Sequence, residues 1–240
     1  MFLDVGGYYD ETKFSVGERI ILPFLAHKGV TQIDELWLSH LDQDHSGALP
    51  QIKNIKINRI IANEQPEILH GAHFDYCQQG QRWNWNPDIQ IEVLWPPKGM
   101  LKQAAFDKNE TSCVVLMTLK TTAQSYQFLM MGDVGWETEY QLIQHYPNLV
   151  VDVLVLGHHG SKHSSAYDFL KHVQPKIAIV SAGLNNRYGH PSAATLARLK
   201  SLDIPLHQTS ETGNIQFILD NQDKLKLIPY RSSRMWLMRD

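Results

Sequence analysis

Several things are scarce in this 240-residue sequence, and each scarcity removes a class of protein. Cysteine occurs twice, at Cys77 and Cys113, far apart and without a CxxC motif. That argues against a disulfide framework and leaves a single bridge open. No apolar run approaches the roughly 18–20 residues of a membrane span, and no secretory signal is visible at the start. Excess positive charge is missing too: 22 Lys and Arg against 25 Asp and Glu give a formal net charge of −3. There is thus no global footprint of nucleic-acid binding. Carboxylates gathered for metal would inflate the negative count, and two divalent ions would reverse its sign locally. No linker or repeat divides the chain. With 43% hydrophobic residues, it has material for a substantial core in one large domain or two small ones.

Histidine is what the chain has in plenty, with twelve. Ser39-His40-Leu41-Asp42-Gln43-Asp44-His45 puts four potential metal ligands within six residues. The preceding Leu36-Trp37-Leu38 reads as a buried strand, and Gly47 lets the chain turn away. The ligands therefore fall on a loop leaving a strand's C-terminal end, where α/β proteins tend to place their sites. Imidazoles and carboxylates so crowded would repel or go unsatisfied without a cation, whereas one or two divalent ions would make them a coordination shell. The competing reading is a polar surface loop.

The remaining elements follow from periodicity and punctuation. Glu18 to Lys28 reads as a helix stopped by Gly29 and weakened by Pro23. Arg59–Ala62, Ile89–Trp95, Cys113–Leu119, Tyr126–Met131, Val151–Leu156 and Lys176–Ser181 read as strands, Tyr167–Val173 and Ser192–Leu202 as helices. Ala48-Leu49-Pro50 starts a helical turn. Asn63 to Asp88 shows little periodicity and reads as irregular cover, either plain connection or substrate-facing. Strands at Ile215–Leu219 and Lys224–Ile228 close the fold. A basic tail follows over 231–240, with Arg231, Arg234 and Arg239.

Three further clusters carry chemistry. Gly132-Asp133 ends a strand, and Asp133 either binds metal or caps the helix starting near Trp136. Gly157-His158-His159-Gly160-Ser161 sets two imidazoles at a buried strand end, between glycines that permit close approach. One His would complete a metal shell and the other contact substrate; spacing does not choose between His158 and His159. Ser161 and Lys162, with the His163-Ser164-Ser165 that follow, offer donors suited to a phosphate. Asn185-Asn186-Arg187-Tyr188-Gly189-His190-Pro191 is a turn with exposed side chains or a working site. In the second case Arg187 would fork onto a phosphate, and His190 would act as general acid for a leaving alkoxide or bind the phosphate.

Taken jointly and in order, these motifs resemble the metallo-β-lactamase superfamily, whose metal loop reads His-x-His-x-Asp-His. Here His40-x-Asp42-x-Asp44-His45 replaces the second His by Asp42. That narrows the resemblance to the metallo-β-lactamase-like domain at the C-terminus of the ComEC family of DNA-internalisation competence proteins. The resemblance extends from Asp4 to about Leu219. It implies an α/β four-layer αβ/βα sandwich over 1–230, with His40 and Asp42 on one metal, Asp44 and His45 on the second, and Asp133 bridging both. Asp4, in Phe2-Leu3-Asp4-Val5-Gly6-Gly7, would buttress the metal loop through hydrogen bonds. Family members often carry a ligand His near residue 109. Here Asn109 and Ser112 match the Asn-x-x-Ser of the competence group, so Asn109 is expected near metal or substrate. The family's first hairpin is absent before Asp4, so the chain reads as a fragment of a longer protein.

The resemblance also implies two divalent ions, Mn²⁺ or Zn²⁺, with Asp42 hardening one site toward Mn²⁺. The implied activity is a deoxyribonuclease that degrades the non-imported strand during natural transformation, with Asp44 and His190 at the reaction centre. The implied partners are single-stranded DNA and an inner-membrane channel of the same protein, the domain lying on the extracytoplasmic, periplasmic side. Two rivals remain. One is a small-molecule metallohydrolase of lactonase, thioesterase or phosphorylcholine esterase type. The other is a metal-depleted domain that binds DNA or regulates the channel.

Overall fold

A computed structural model describes residues 1–10, 14–100 and 107–231. Arg234 and Arg239 of the basic tail lie outside the described residues. The chain folds as two compact units, one of Met1–Gln81 with Val93–Val114, the other of Arg82–Glu92 with the chain from Val115 onward.

The first unit runs through β1 (Phe2–Leu3), the hairpin β2 (Tyr8–Asp10) and β3 (Phe14–Ser15), α1 (Leu22–His27) and β4 (Gln32–Leu38). It continues with α2 (Gln43–Ser46), β5 (Lys56–Ala62) and β6 (His73–Tyr76). Strands β1, β4, β5 and β6 form a parallel sheet in the order β1-β4-β5-β6. β4 and β5 pair with Leu36 opposite Ile60, Trp37 opposite Ile61 and Leu38 opposite Ala62. All six of these residues are buried, the continuous apolar pattern of parallel strands covered on both faces. On one face Leu36, Leu38, Ile60 and Ala62 share a core with Val5, Ile21, Leu25, Ile52 and Ile57. The helix expected over 18–28 is present as a π-helical turn, Gly17–Ile21, leading into α1. Pro23 is accommodated because it falls in the first turn of α1, where its missing N–H costs nothing.

A disulfide joins Cys77 and Cys113, with Cα atoms 6.1 Å apart. Each half is also tied by its backbone: Cys77 N–H donates to Ala62 O at 2.9 Å, and Cys113 N–H to Ser39 O at 2.8 Å. The bridge therefore links the ends of β5 and of β4.

The second unit holds β7 (Arg82–Asn84), most of β8 (Ile89–Trp95) and β9 (Val114–Lys120), β10 (Ser125–Met130), α3 (Trp136–His145) and β11 (Val153–Val155). Then come α4 (Tyr167–Val173), β12 (Ile177–Val180), α5 (Ala193–Ser201), β13 (Leu206–Gln208), α6 (Thr209–Thr212) and the hairpin β14 (Ile215–Leu219) and β15 (Leu225–Pro229). The sheet order is β13-β12-β11-β10-β9-β8-β7. β10 to β13 are mutually parallel, and helices α3, α4 and α5 make the crossovers that parallel neighbours require. Ser192 caps α5, its Oγ accepting from Thr195 N–H at 3.2 Å.

The expected irregular stretch from Asn63 to Asp88 is corrected in part, since it contains β6 and β7. Both are edge strands with mostly exposed or half-buried side chains. His-Phe-Asp-Tyr and Arg-Trp-Asn do alternate polar and apolar residues, but over only 4 and 3 residues the pattern is too short to be read as a strand.

Candidate functional site

The first unit contributes a loop held by its own first strand. β1 lies beside β4 with Leu3 opposite Trp37, which brings Asp4 level with the end of β4. Asp4 is left-handed, at φ 52°, and its backbone N–H donates to Trp37 O at 2.8 Å. Its carboxylate accepts from Ser39 N–H at 2.7 Å and Ser39 Oγ at 2.9 Å, and lies 2.9 Å from His45 Nδ1. Gly7 passes so close that a Cβ there would stand 2.4 Å from Gln43 O. The paired glycines after Asp4 are therefore needed for this strap to lie across the turn that carries Asp44.

These bonds assign imidazole tautomers. A carboxylate accepts only, so His45 carries its proton on Nδ1 and keeps the Nε2 lone pair. Ser39 Oγ donates its single proton to Asp4, so toward His40 Nδ1, 3.2 Å away, it accepts. His40 then also keeps its lone pair on Nε2, which faces Asp42 Oδ2 at 3.8 Å. The His40 and His45 rings lie 4.2 Å apart, and both are buried. Asp42 stands at the N-cap position of α2, yet its side chain makes no capping bond. Asp44 is exposed in the same turn.

The second unit contributes a loop of different construction. Asp133 follows β10 and is buried. The N-cap residue of α3 is Gly135, two positions beyond it. After β11 the chain makes a tight turn, Gly157–Gly160, in which His158 (φ 47°, ψ 47°) and His159 (φ 52°, ψ 25°) are both left-handed. Two consecutive non-glycine residues in that region are strained, a condition that persists only where surrounding structure enforces it. The enforcement is visible: a Cβ on Gly157 would meet Val134 O at 2.6 Å, and His158 N–H donates to Gly132 O at 3.0 Å.

The turn aims both imidazoles at one carboxylate. His158 Nε2 lies 3.9 Å from Asp133 Oδ2, and His159 Nε2 lies 3.7 Å from Asp133 Oδ1. His159 Nδ1 donates to Ser181 O at 2.7 Å, so its lone pair is the Nε2 that faces Asp133. His158 instead meets the ring of His190 edge-on, centroids 5.8 Å apart. The two differ in their surroundings: His159 is anchored from behind by a carbonyl, and His158 stands between Asp133 and His190.

His190 is set by a residue not singled out in the sequence. Asn186 Oδ1 accepts from His190 N–H at 3.0 Å, and its Nδ2 donates to His190 O at 2.6 Å. The four-residue spacing inside the turn motif was the only signal for it. Burial, reinforced by His158 and then His159, holds the His190 pKa below the ordinary imidazole value. Arg187 is exposed, with its guanidinium 4.7 Å over the Tyr188 ring. Ser161 is buried and fixes the loop, its carbonyl accepting from Thr195 Oγ1 at 2.8 Å, while Lys162 is exposed. A second unforeseen support is Glu139, buried in α3, whose carboxylate accepts from the N–H groups of Ser165 and of Ala166. Asn109, in the first unit, begins a short 3-10 turn and donates its backbone N–H to Asp107 at 3.0 Å.

No family model matches the chain. A putative metal-dependent hydrolase from Parabacteroides distasonis ATCC 8503 superposes with a TM-score of 0.50 at 14% identity, over 74% of this chain and 76% of that one. The subclass B3 metallo-β-lactamase MEM-A1, from a soil metagenome library, superposes at 0.43 with 13% identity, over 70% of each chain. The protein is thus an α/β protein of the metallo-β-lactamase fold, with sheets flanked by helices and His/Asp loops at its strand ends. In sequence it is 35% identical to ComE operon protein 3 of Bacillus subtilis (strain 168), over 87% of this chain and 27% of that protein. It is 36% identical to competence protein ComA of Neisseria gonorrhoeae, over 87% and 28%. The chain belongs to the ComEC family of competence proteins, and it spans about a quarter of the length of these relatives. Among the described residues no helix is long and apolar enough to cross a membrane.

Proposed function

We propose that residues 1–230 act as a metal-dependent hydrolase domain that cleaves phosphodiester bonds of single-stranded DNA. Asp44 and His45 would hold one ion and His40 with Asp42 another, as the resemblance implies, and in the second unit Asp133 and His159 offer further ligand atoms. The carrying observation is the way His40 and His159 are oriented. Each keeps its proton on Nδ1, so each presents an Nε2 lone pair to a carboxylate oxygen, at 3.8 and 3.7 Å. Imidazole lone pairs beside carboxylate oxygens make a donor set suited to a divalent cation. A fixed Nδ1–H is also the usual support behind a metal-ligating histidine.

When bound, two divalent ions supply Lewis-acid chemistry, lowering the pKa of water and offsetting charge on phosphate oxygens. The chain's own residues do the rest. His158 and His190 face the phosphate and the leaving oxygen, and Arg187, Lys162 and Ser161 position the backbone, with Asn109 at the margin. Homology to competence proteins supports DNA as substrate, the non-imported strand as target and a membrane channel as partner. The disulfide supports an oxidising, extracytoplasmic setting.

The test is elemental analysis followed by cleavage of labelled single strands with Mn²⁺, Mg²⁺ and Zn²⁺ in turn. Bound metal and cleavage strongest in Mn²⁺ are expected, because Asp42 stands where relatives of the fold carry an imidazole. Metal-free protein that retains DNA without cutting it would establish a binding module instead. Hydrolysis of a lactone or phosphocholine ester alone would establish a small-molecule enzyme.

Two variants probe separate parts of the site. Asp4→Asn keeps the shape but weakens the acceptor behind His45. Competition with a chelator should show metal affinity reduced about 10- to 100-fold, the usual cost of losing such a partner, and unchanged affinity would detach Asp4 from the centre. Arg187→Ala should weaken binding of oligonucleotides of any sequence and reduce the salt slope of log K by about one, for one lost phosphate contact. A slope equal to that of the wild type would leave Arg187 a partner of Tyr188 and nothing more.

A further inference from the structure

We propose that Trp136, Arg198 and Lys162 form a stacking subsite for one nucleobase of a single-stranded DNA, lying beside the Asp133 and His159 loops. The proposal rests on the DNA reading above and goes beyond it by saying how an unpaired strand is gripped.

Trp136 opens α3, and 48% of it is exposed. With Lys162, His163, Ala194 and Arg198 it lines an open cavity of about 380 Å³, within the roughly 300–1,000 Å³ range of small-molecule sites. The walls are fixed. Trp136 N–H donates to His163 O at 3.0 Å, and the two rings meet edge-on with centroids 5.7 Å apart. Arg198 reaches over from α5, its Cζ 5.7 Å from the indole centroid. One Nη of Arg198 donates to Lys162 O at 3.1 Å and to Thr195 Oγ1 at 3.0 Å. Its Nε is shielded from solvent and has no hydrogen-bond acceptor among the described residues. The guanidinium is therefore held in place with a donor left over, while the Lys162 ammonium stands in solvent beside it.

This composition selects its occupant. An indole presents a flat π-surface on which any base can stack, and an arginine over an aromatic adds a cation–π contribution. Two cations beside the ring neutralise the phosphates that accompany a base, which a purely apolar guest would not need. Placement agrees with the proposal. Trp136 follows Asp133 by three residues, so the two Cα atoms lie within about 11 Å, and Lys162 follows His159 by the same interval. A base on Trp136 therefore belongs to a nucleotide close to the cleaved bond. Duplex DNA hides its base faces in its own stack and cannot fill such a site, so the subsite would confer a preference for unpaired strands.

The experiment is fluorescence anisotropy of the full chain with labelled oligothymidylate and with a matched abasic strand, in the absence of added divalent metal so that no cleavage intervenes. Wild type should bind oligothymidylate about tenfold more tightly than the abasic strand, the usual scale of one lost stacking contact. Trp136→Ala should lose that discrimination by binding both strands equally weakly, and Trp136→Phe should keep most of it. Circular dichroism of each variant checks the fold, and Trp136→Phe keeps the comparison informative if the alanine variant is damaged. A Trp136→Ala protein that still favours oligothymidylate tenfold, or a phenylalanine variant that behaves like a folded alanine variant, overturns the stacking subsite and leaves the DNA reading standing. A wild type that binds neither strand overturns both.

Discussion

Asp44→Ala should abolish cleavage of single-stranded DNA and leave the fold intact. Asp44 is exposed in the first turn of α2, so its removal opens no cavity, and substitutions at such positions usually change stability by no more than about 0.5 kcal/mol. The proposed effect on chemistry is far larger. Asp44 is one of the proposed metal ligands, and each 1.4 kcal/mol of lost transition-state stabilisation lowers the rate about tenfold. A loss of a few kcal/mol therefore means more than a hundredfold. The measurement compares wild type and variant on labelled strands under each metal, with thermal melts in parallel. Equal cleavage by both proteins would remove the α2 turn from the reaction centre.

Reduction of the disulfide should be the largest perturbation of stability available without touching the site. Cys77 and Cys113 are 36 residues apart, and closing a loop of that size in the unfolded chain is worth about 4 kcal/mol in the chain-entropy account. The effect should extend to metal affinity. Cys113 N–H holds Ser39 O, and Ser39 is the residue through which Asp4 organises His40 and His45. Urea unfolding with and without dithiothreitol should show a clear fall in midpoint, and chelator competition under the same conditions should show weaker metal retention. A midpoint unchanged by confirmed reduction would show that the bridge adds nothing to the folded unit. The Cys77→Ser and Cys113→Ser double variant should match the reduced protein.

Much of this molecule was legible in its sequence, and the reasons are local. Ile89–Trp95 and Tyr167–Val173 are found where apolar runs and punctuation put them, because burial pattern and element coincide there. β6, β7 and β13 were not read, since short strands with half-exposed side chains need a neighbour more than a pattern. The metallo-β-lactamase type of fold was legible through motif order, which no single element carries. Within the candidate site, residue types were visible and atoms were not. Nothing in Gly-His-His-Gly says that His159 turns its Nδ1 to Ser181 while His158 turns toward His190. That choice is made by two left-handed residues in a row, which no periodicity announces. The support from Asn186 and Glu139 was equally silent, being a matter of backbone groups that meet only in the folded chain. The disulfide stayed open because two cysteines far apart in sequence carry no distance information.

The left-handed pair has a consequence for the history of such chains. An L-residue in that region carries roughly 1–2 kcal/mol of steric penalty, whereas glycine adopts it freely at an entropic cost of about 0.5–1 kcal/mol. Glycine at position 158 would relieve that penalty at the cost of a half-buried ring that meets His190 edge-on and lies 3.9 Å from Asp133. Selection for a durable fold alone would hold this histidine less firmly than the apolar strand before it. On the proposed role of His158, a homologue that keeps the strand but reads Gly-Gly-His-Gly would mark a lineage in which the reaction has lapsed and the scaffold has outlived it.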